Sequence, residues 1–156
     1  MNRMVVLNMD DIDKKILKRL QENARVTISV LSSEISLSMP AISERLKKLE
    51  ASGVIKQYTA ILNPKLVDKQ LMALVFLSID TPSHGDSFKA FVVGEADIKE
   101  CFYITGDFDY SLKIITKNTS TLEDILTRIK EQAGVIKTQT IVVLSSITDR
   151  PSVSVE

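Results

Sequence analysis

Covalent and metal frameworks are nearly absent from this sequence. Cys101 is its only cysteine and His84 its only histidine, so neither a disulfide framework nor a Cys/His zinc site can form within one chain. No apolar run reaches the roughly 18 to 20 residues that span a bilayer. The apolar patch in the opening MNRMVVLNMDD is too short for a secretory signal, and no small-residue cleavage site follows it. Net charge is absent too, with 20 Lys+Arg against 20 Asp+Glu. A hydrophobic content of 44% and a charged content of 26% exclude a disordered chain. These absences lead to the expectation of a cytoplasmic globular protein with no membrane, metal or cofactor.

The neutral total conceals an asymmetry. Residues 1–62 carry ten Lys/Arg and seven acids, a balance of +3, and the remainder carries −3. A basic half suggests a polyanionic partner. Hydrophobic periodicity divides the chain in the same place. Asp10 or Asp11 can cap a first helix with Ile12, Ile16, Leu17 and Leu20 at helical spacing. Thr27 caps a short second helix with Leu31 and Ile35 inside. After the turn SLS, Ser38 caps a third, with Pro40 in its first turn, Ile42, Leu46 and Leu49 inward, and Gly53 at its end. VIKQYTAILNP reads as a strand.

The second half predicts β-α-β-β-α-β. The strands are LMALVFLSID, IKECFYIT, FDYSLKIIT and VIKTQTIVVLSSI, with a hairpin at Gly106-Asp107. The first helix lies in SFKAFVVGE. The second opens on a capping box of Ser120 and Glu123, buries Leu122, Ile125, Leu126 and Ile129, and stops at Gly134. This order predicts an α+β protein: a helix-turn-helix (winged-helix-like) domain followed by a ferredoxin-like βαββαβ domain. The expected boundaries are 1–56, a strand and linker at 57–70, 71–147, and a loose tail at 148–156. Strands apolar on both sides leave one sheet face bare, and a homodimer would cover it.

On the third helix, 100° steps from Ile42 place Pro40, Ala41, Glu44, Lys47 and Lys48 opposite the core, with Ser43 and Arg45 flanking. A helix in the major groove reads bases with its N-terminal residues and grips phosphates with Lys and Arg. Ala41 permits close approach, and Glu44 can accept from a cytosine amino group. Together with the cap residues Thr27 and Ser38, these form the candidate contacts to double-stranded DNA.

The stretch from DDIDKKILKRL to YTAILNP resembles the N-terminal half of the Lrp/AsnC (feast/famine) transcription regulators. ECFYITGDFDYSLKI, residues 100–114, resembles the family's sensing domain, marked by a Gly-Asp-x-Asp-Tyr turn. The resemblance runs from about Met9 to Ile147 and departs at Ser36, where the family usually places glycine. It implies dimers assembling into larger rings, commonly octamers. It also implies a small effector, often an amino acid, near Tyr103, Thr105, Gly106, Asp107 and Asp109. Exposed amides at Gly106 suit a carboxylate, and Asp107 or Asp109 can pair with an α-ammonium. Two rivals remain: an architectural DNA binder without a ligand, and a sirohaem-decarboxylase-like enzyme. The low count of His and Arg in the acidic half disfavours the enzyme.

Overall fold

The computed structural model describes residues 9–156. Helix α1 spans Asp11–Glu22, α2 Ile28–Ile35 and α3 Met39–Ala51. Each start has a local cause. Asp10 and Asp13 form a reciprocal capping box on α1, while Thr27 and Ser38 accept from the backbone N–H of Val30 and Ala41. The inner faces meet in a core of Ile16, Leu17, Leu31, Ile42 and Leu49, with Leu20, Ile35 and Leu46 packed around it.

Three residues separate α2 from α3, and Ser36 takes the left-handed conformation there, with φ 60° and ψ 43°. An L-residue with a side chain pays a steric penalty in that region, so the position favours glycine. Serine is held by local bonds instead: Leu37 N–H reaches Ser32 O at 3.2 Å, and Ser32 Oγ donates to Leu37 O at 2.5 Å.

The second unit runs over Leu62–Thr148. It comprises β1 (Leu71–Ile79), α4 (Pro82–Gly94), β2 (Ile98–Tyr103), β3 (Tyr110–Thr116), α5 (Thr119–Lys130) and β4 (Val135–Val143). The strands form one antiparallel sheet in the order β2-β3-β1-β4, the ferredoxin-like arrangement. Ala73, Val75, Leu77, Leu112 and Ile114 alternate onto the face covered by Phe88 of α4 and by Leu122, Ile125 and Ile129 of α5. The other face carries Met72, Leu74 and Phe76. By register, Ile115, Lys113 and Ser111 join them from β3, and Val143, Ile141 and Gln139 from β4.

Several local expectations are corrected. Residues 52–63 form no strand; that stretch is irregular and ends in a 3-10 turn at Pro64–Val67. Among the described residues no strand lies beside it to pair with. The helix α4 begins at Pro82, five residues before the predicted start, because proline is suited to a first helical turn. The cap of α5 is Asn118, boxed with Thr121, in place of Ser120 with Glu123. β4 ends at Val143, four residues early. The tail is not loose: Gln21 Nε2 donates to Ser152 Oγ at 2.8 Å and to Val153 O at 2.6 Å, and Val155 packs on the helical core. Asp149–Glu156 therefore groups with the helices.

Candidate nucleic-acid interface and effector turn

Helix α3 is anchored on one side by Ile42 and Leu49, which are almost wholly buried. Pro40, Glu44, Lys47 and Lys48 stand exposed on the other side, with Ala41 and Ser43 half-buried beside them. Ser38 and Thr27 are exposed at the two helix starts. Lys48 Nζ lies 3.0 Å from Glu44 Oε1, and both side chains are 70% exposed. That hydrogen bond, with the ammonium beside it, holds the Glu44 carboxyl below its ordinary range. A surface pair of this kind contributes little to stability, so both groups are free to exchange partners.

Arg45 has a different placement. Its Nη1 lies 2.8 Å from Asp10 Oδ2 and 2.7 Å from Asp13 Oδ1. The guanidinium predicted to face DNA is thus turned back onto the start of α1. Helical angles put Arg45 on the flank; only the packing of three helices showed which way it leans. Arg19 makes a comparable link, with Nε at 2.6 Å and Nη2 at 2.8 Å from the two oxygens of Glu34 on α2, and a further contact to Glu22. Beyond α3, Tyr58 OH donates to Glu50 Oε1 at 2.9 Å. Burial, reinforced by that carboxylate, pushes the phenol up to about 12, so it remains a donor across the physiological range.

In the sheet unit, the paired register of β2 and β3 ends at Tyr103 and Tyr110, and Ile104 N–H still donates to Asp109 O at 2.8 Å, so the connection is the six residues 104–109 and not a two-residue hairpin. The longer loop follows from two tertiary bonds at Asp109. Its backbone N–H donates to Leu77 O at 2.9 Å, and its Oδ2 accepts from Ile79 N–H at 2.8 Å, where β1 shifts register. Gly106 has φ 122°, which only glycine adopts comfortably, and Thr105, Gly106 and Asp107 are exposed. Tyr103 is 77% exposed, its ring 5.2 Å from that of Tyr110.

Comparison with known proteins adds to this geometry. Residues 71–153 match the Lrp/AsnC ligand binding domain, and residues 9–56 match a winged helix-turn-helix DNA-binding domain. The chain belongs to the Lrp/AsnC family. It is a helix-turn-helix transcriptional regulator of that type. The regulator FL11 of Pyrococcus furiosus is 35% identical over 87% of this chain and 89% of its own. The leucine-responsive regulatory protein of Haemophilus influenzae is 36% identical over 89% and 86%. A transcriptional regulator of Neisseria meningitidis solved as an L-Met complex superposes with a TM-score of 0.88, at 33% identity over 93% of this chain and 96% of its own.

Two contacts of this Lrp/AsnC chain have no signal of their own in the spacing of the sequence: the carboxylates of Asp10 and Asp13 meeting Arg45, and the attachment of Asp109 to β1. No spacing rule connects residues that lie 30 or more positions apart. A faint signal existed in the first case, since the acids of a capping box cluster negative charge that invites a cation. Among the described residues, no helix is long and apolar enough to cross a membrane, and no group of three His, Cys, Asp or Glu could hold a metal.

Proposed function

We propose that two copies of this chain present their α3 helices to successive major-groove segments of a pseudo-palindromic site, about 34 Å or a multiple of it apart. Pro40, Ala41, Ser43 and Glu44 face base edges, Lys47 and Lys48 neutralise phosphates, and Thr27 and Ser38 bring the helix starts to the backbone. The carrying observation is the contrast across α3, sealed at Ile42 and Leu49 and exposed at Glu44, Lys47 and Lys48. Electrophoretic retardation of promoter duplexes over a salt series tests it. Lys47→Ala and Lys48→Ala should each flatten the slope of log affinity on log salt by about one unit. Retardation indifferent to salt would sink the phosphate role.

The turn at residues 104–109 is proposed to hold an amino acid, in keeping with the L-Met complex of the Neisseria relative. Backbone amides near Gly106 and Thr105 suit its carboxylate, Asp107 its ammonium, and Tyr103 offers an aromatic wall. Asp109 supports the loop, because one of its oxygens already serves Ile79. The uncovered sheet face, with Leu74, Phe76, Phe102 and Ile141, suits a homodimer, which assembles further to an octamer. Effector binding then shifts the assembly and with it DNA occupancy, a coupling typically worth about 1 to 3 kcal/mol. A thermal-shift panel of the twenty amino acids, with light scattering on any that respond, tests this part; no shift with any of them would leave the turn without an effector. The reading places the protein in the cytoplasm and assigns it no catalytic step and no cofactor.

A further inference from the structure

Arg45 lies on the helix proposed to enter the groove, yet its side chain is 28% exposed where its neighbours Glu44 and Lys48 are at 70%. The carboxylates it meets have a prior task. Asp10 Oδ1 accepts from Asp13 N–H at 2.8 Å and Asp13 Oδ2 accepts from Asp10 N–H at 3.3 Å, fixing the start of α1. The opposite oxygen of each carboxylate receives the guanidinium. A phosphate approaching this cation would meet two carboxylates beside it, so the cluster is a poor anion site.

It is better suited as a strut. The core holds α3 at Ile42 and Leu49, and apolar contacts are non-directional, so they resist a roll of the helix about its axis only weakly. Arg45 lies three residues after one anchor and four before the other, on the flank, and its hydrogen bonds are directional. Groove-facing side chains reach about 5 to 6 Å from a helix axis, so a roll of roughly 10° displaces them by about 1 Å. Hydrogen bonds to base edges tolerate only a few tenths of an ångström. Phosphate contacts by flexible lysines tolerate far more.

We infer that Arg45 is a positioning residue for sequence readout, and that Asp10 and Asp13, although they repel DNA, are required for specific binding because they fix the roll of α3. This rests on the proposed DNA-binding role of α3.

The test uses the full chain, well below its unfolding midpoint. It compares a duplex that the wild-type protein enriches from a randomised pool with a shuffled duplex of the same composition. Arg45→Gln and Asp13→Asn should each weaken binding to the enriched duplex about tenfold, leave the shuffled duplex within about twofold, and preserve the salt slope. The double variant should be no worse than Arg45→Gln alone, because Asp13→Asn removes one of the two links that Arg45→Gln removes together. Equal loss on both duplexes with a slope flatter by about one unit would make Arg45 a phosphate contact and overturn the proposal. Tighter binding by Asp13→Asn to both duplexes would overturn it as well. If Arg45→Gln melts near the assay temperature, Arg45→Lys keeps the charge without the planar fork. Partial recovery of the preference supports the strut, and full recovery means that charge alone suffices and overturns it. Failure of the wild-type protein to enrich any duplex would remove the DNA reading itself, without reference to a variant.

Discussion

The two units hold their elements by different means. In the sheet unit, ten core residues, Ala73 to Ile129, lie between two helices and a sheet whose backbone ladders fix every strand. Among the described residues the helical unit has a core of five, from three helices of 12, 8 and 13 residues. Its helices are joined at the rim by polar links: Arg19 to Glu34, Arg45 to Asp10 and Asp13, and Gln21 to the returning tail. A small core supplies cohesion without direction, and charged pairs supply direction at little net energy. The sheet unit has ion pairs of its own, such as Arg128 to Glu95 and Lys69 to Asp97, but its ladders already set direction; the helical unit has no ladder, so direction there comes from its pairs and caps.

The strongest way to break this contrast is truncation in each core. Ile42→Ala and Leu112→Ala should each cost about 2 to 5 kcal/mol. In calorimetry, Ile42→Ala should split off an early helical transition, whereas Leu112→Ala should lower the sheet transition. A single transition shifted equally by both would show that the two units unfold as one and would break the contrast.

Next in size is Gly134→Ala, which acts only on the sheet unit. The added methyl would stand 2.5 Å from His84 Nδ1 and 2.6 Å from Asp80 Oδ1, at a φ of 85°. A residue forced into such a conformation costs about 1 to 3 kcal/mol. The pairing of His84 with Asp80 at 2.7 Å should also be lost, visible as a shifted imidazole resonance.

Acid sharpens the contrast with a smaller effect. Hydrogen bonding to Arg19 holds the Glu34 carboxyl below its ordinary value of 4.5, and Arg128 does the same for Glu95 in the sheet unit. A carboxylate so lowered adds stability above its ordinary value and loses it as pH falls through the folded one. Glu34→Gln should blunt the acid destabilisation of the helical transition below about pH 4.5 and leave that of the sheet transition unchanged. Equal blunting of both would contradict the assignment. The smallest effect is expected of Ser36→Gly, which relieves the left-handed turn at the cost of chain entropy and should stabilise the helical unit by about 0.5 kcal/mol. A loss of stability in urea unfolding would show that the bonds from Ser32 already absorb the strain.

Features that depend on neighbours in the chain were legible before the structure. Thr27 and Ser38 cap as expected, Pro40, Glu44, Lys47 and Lys48 of α3 are exposed where 100° steps put them while Ala41 is half-buried, and the βαββαβ order holds. Two local signals were misread, the Asn118 cap of α5 and the Pro82 start of α4; the other differences arise where a distant partner decides. The stretch 54–64 has strand-forming residues and, among the described residues, no strand beside it, and Asp109 lengthens a loop by bonding β1.

The sequence by itself determined the order of the helices and strands in each unit, the caps of the first three helices and the face that each of them buries, because periodicity and capping act within a few residues. Only the tertiary structure decided where Arg45 points, what Asp109 supports and where the tail ends. Those outcomes depend on groups 30 to 132 positions apart, brought within hydrogen-bond reach by packing alone.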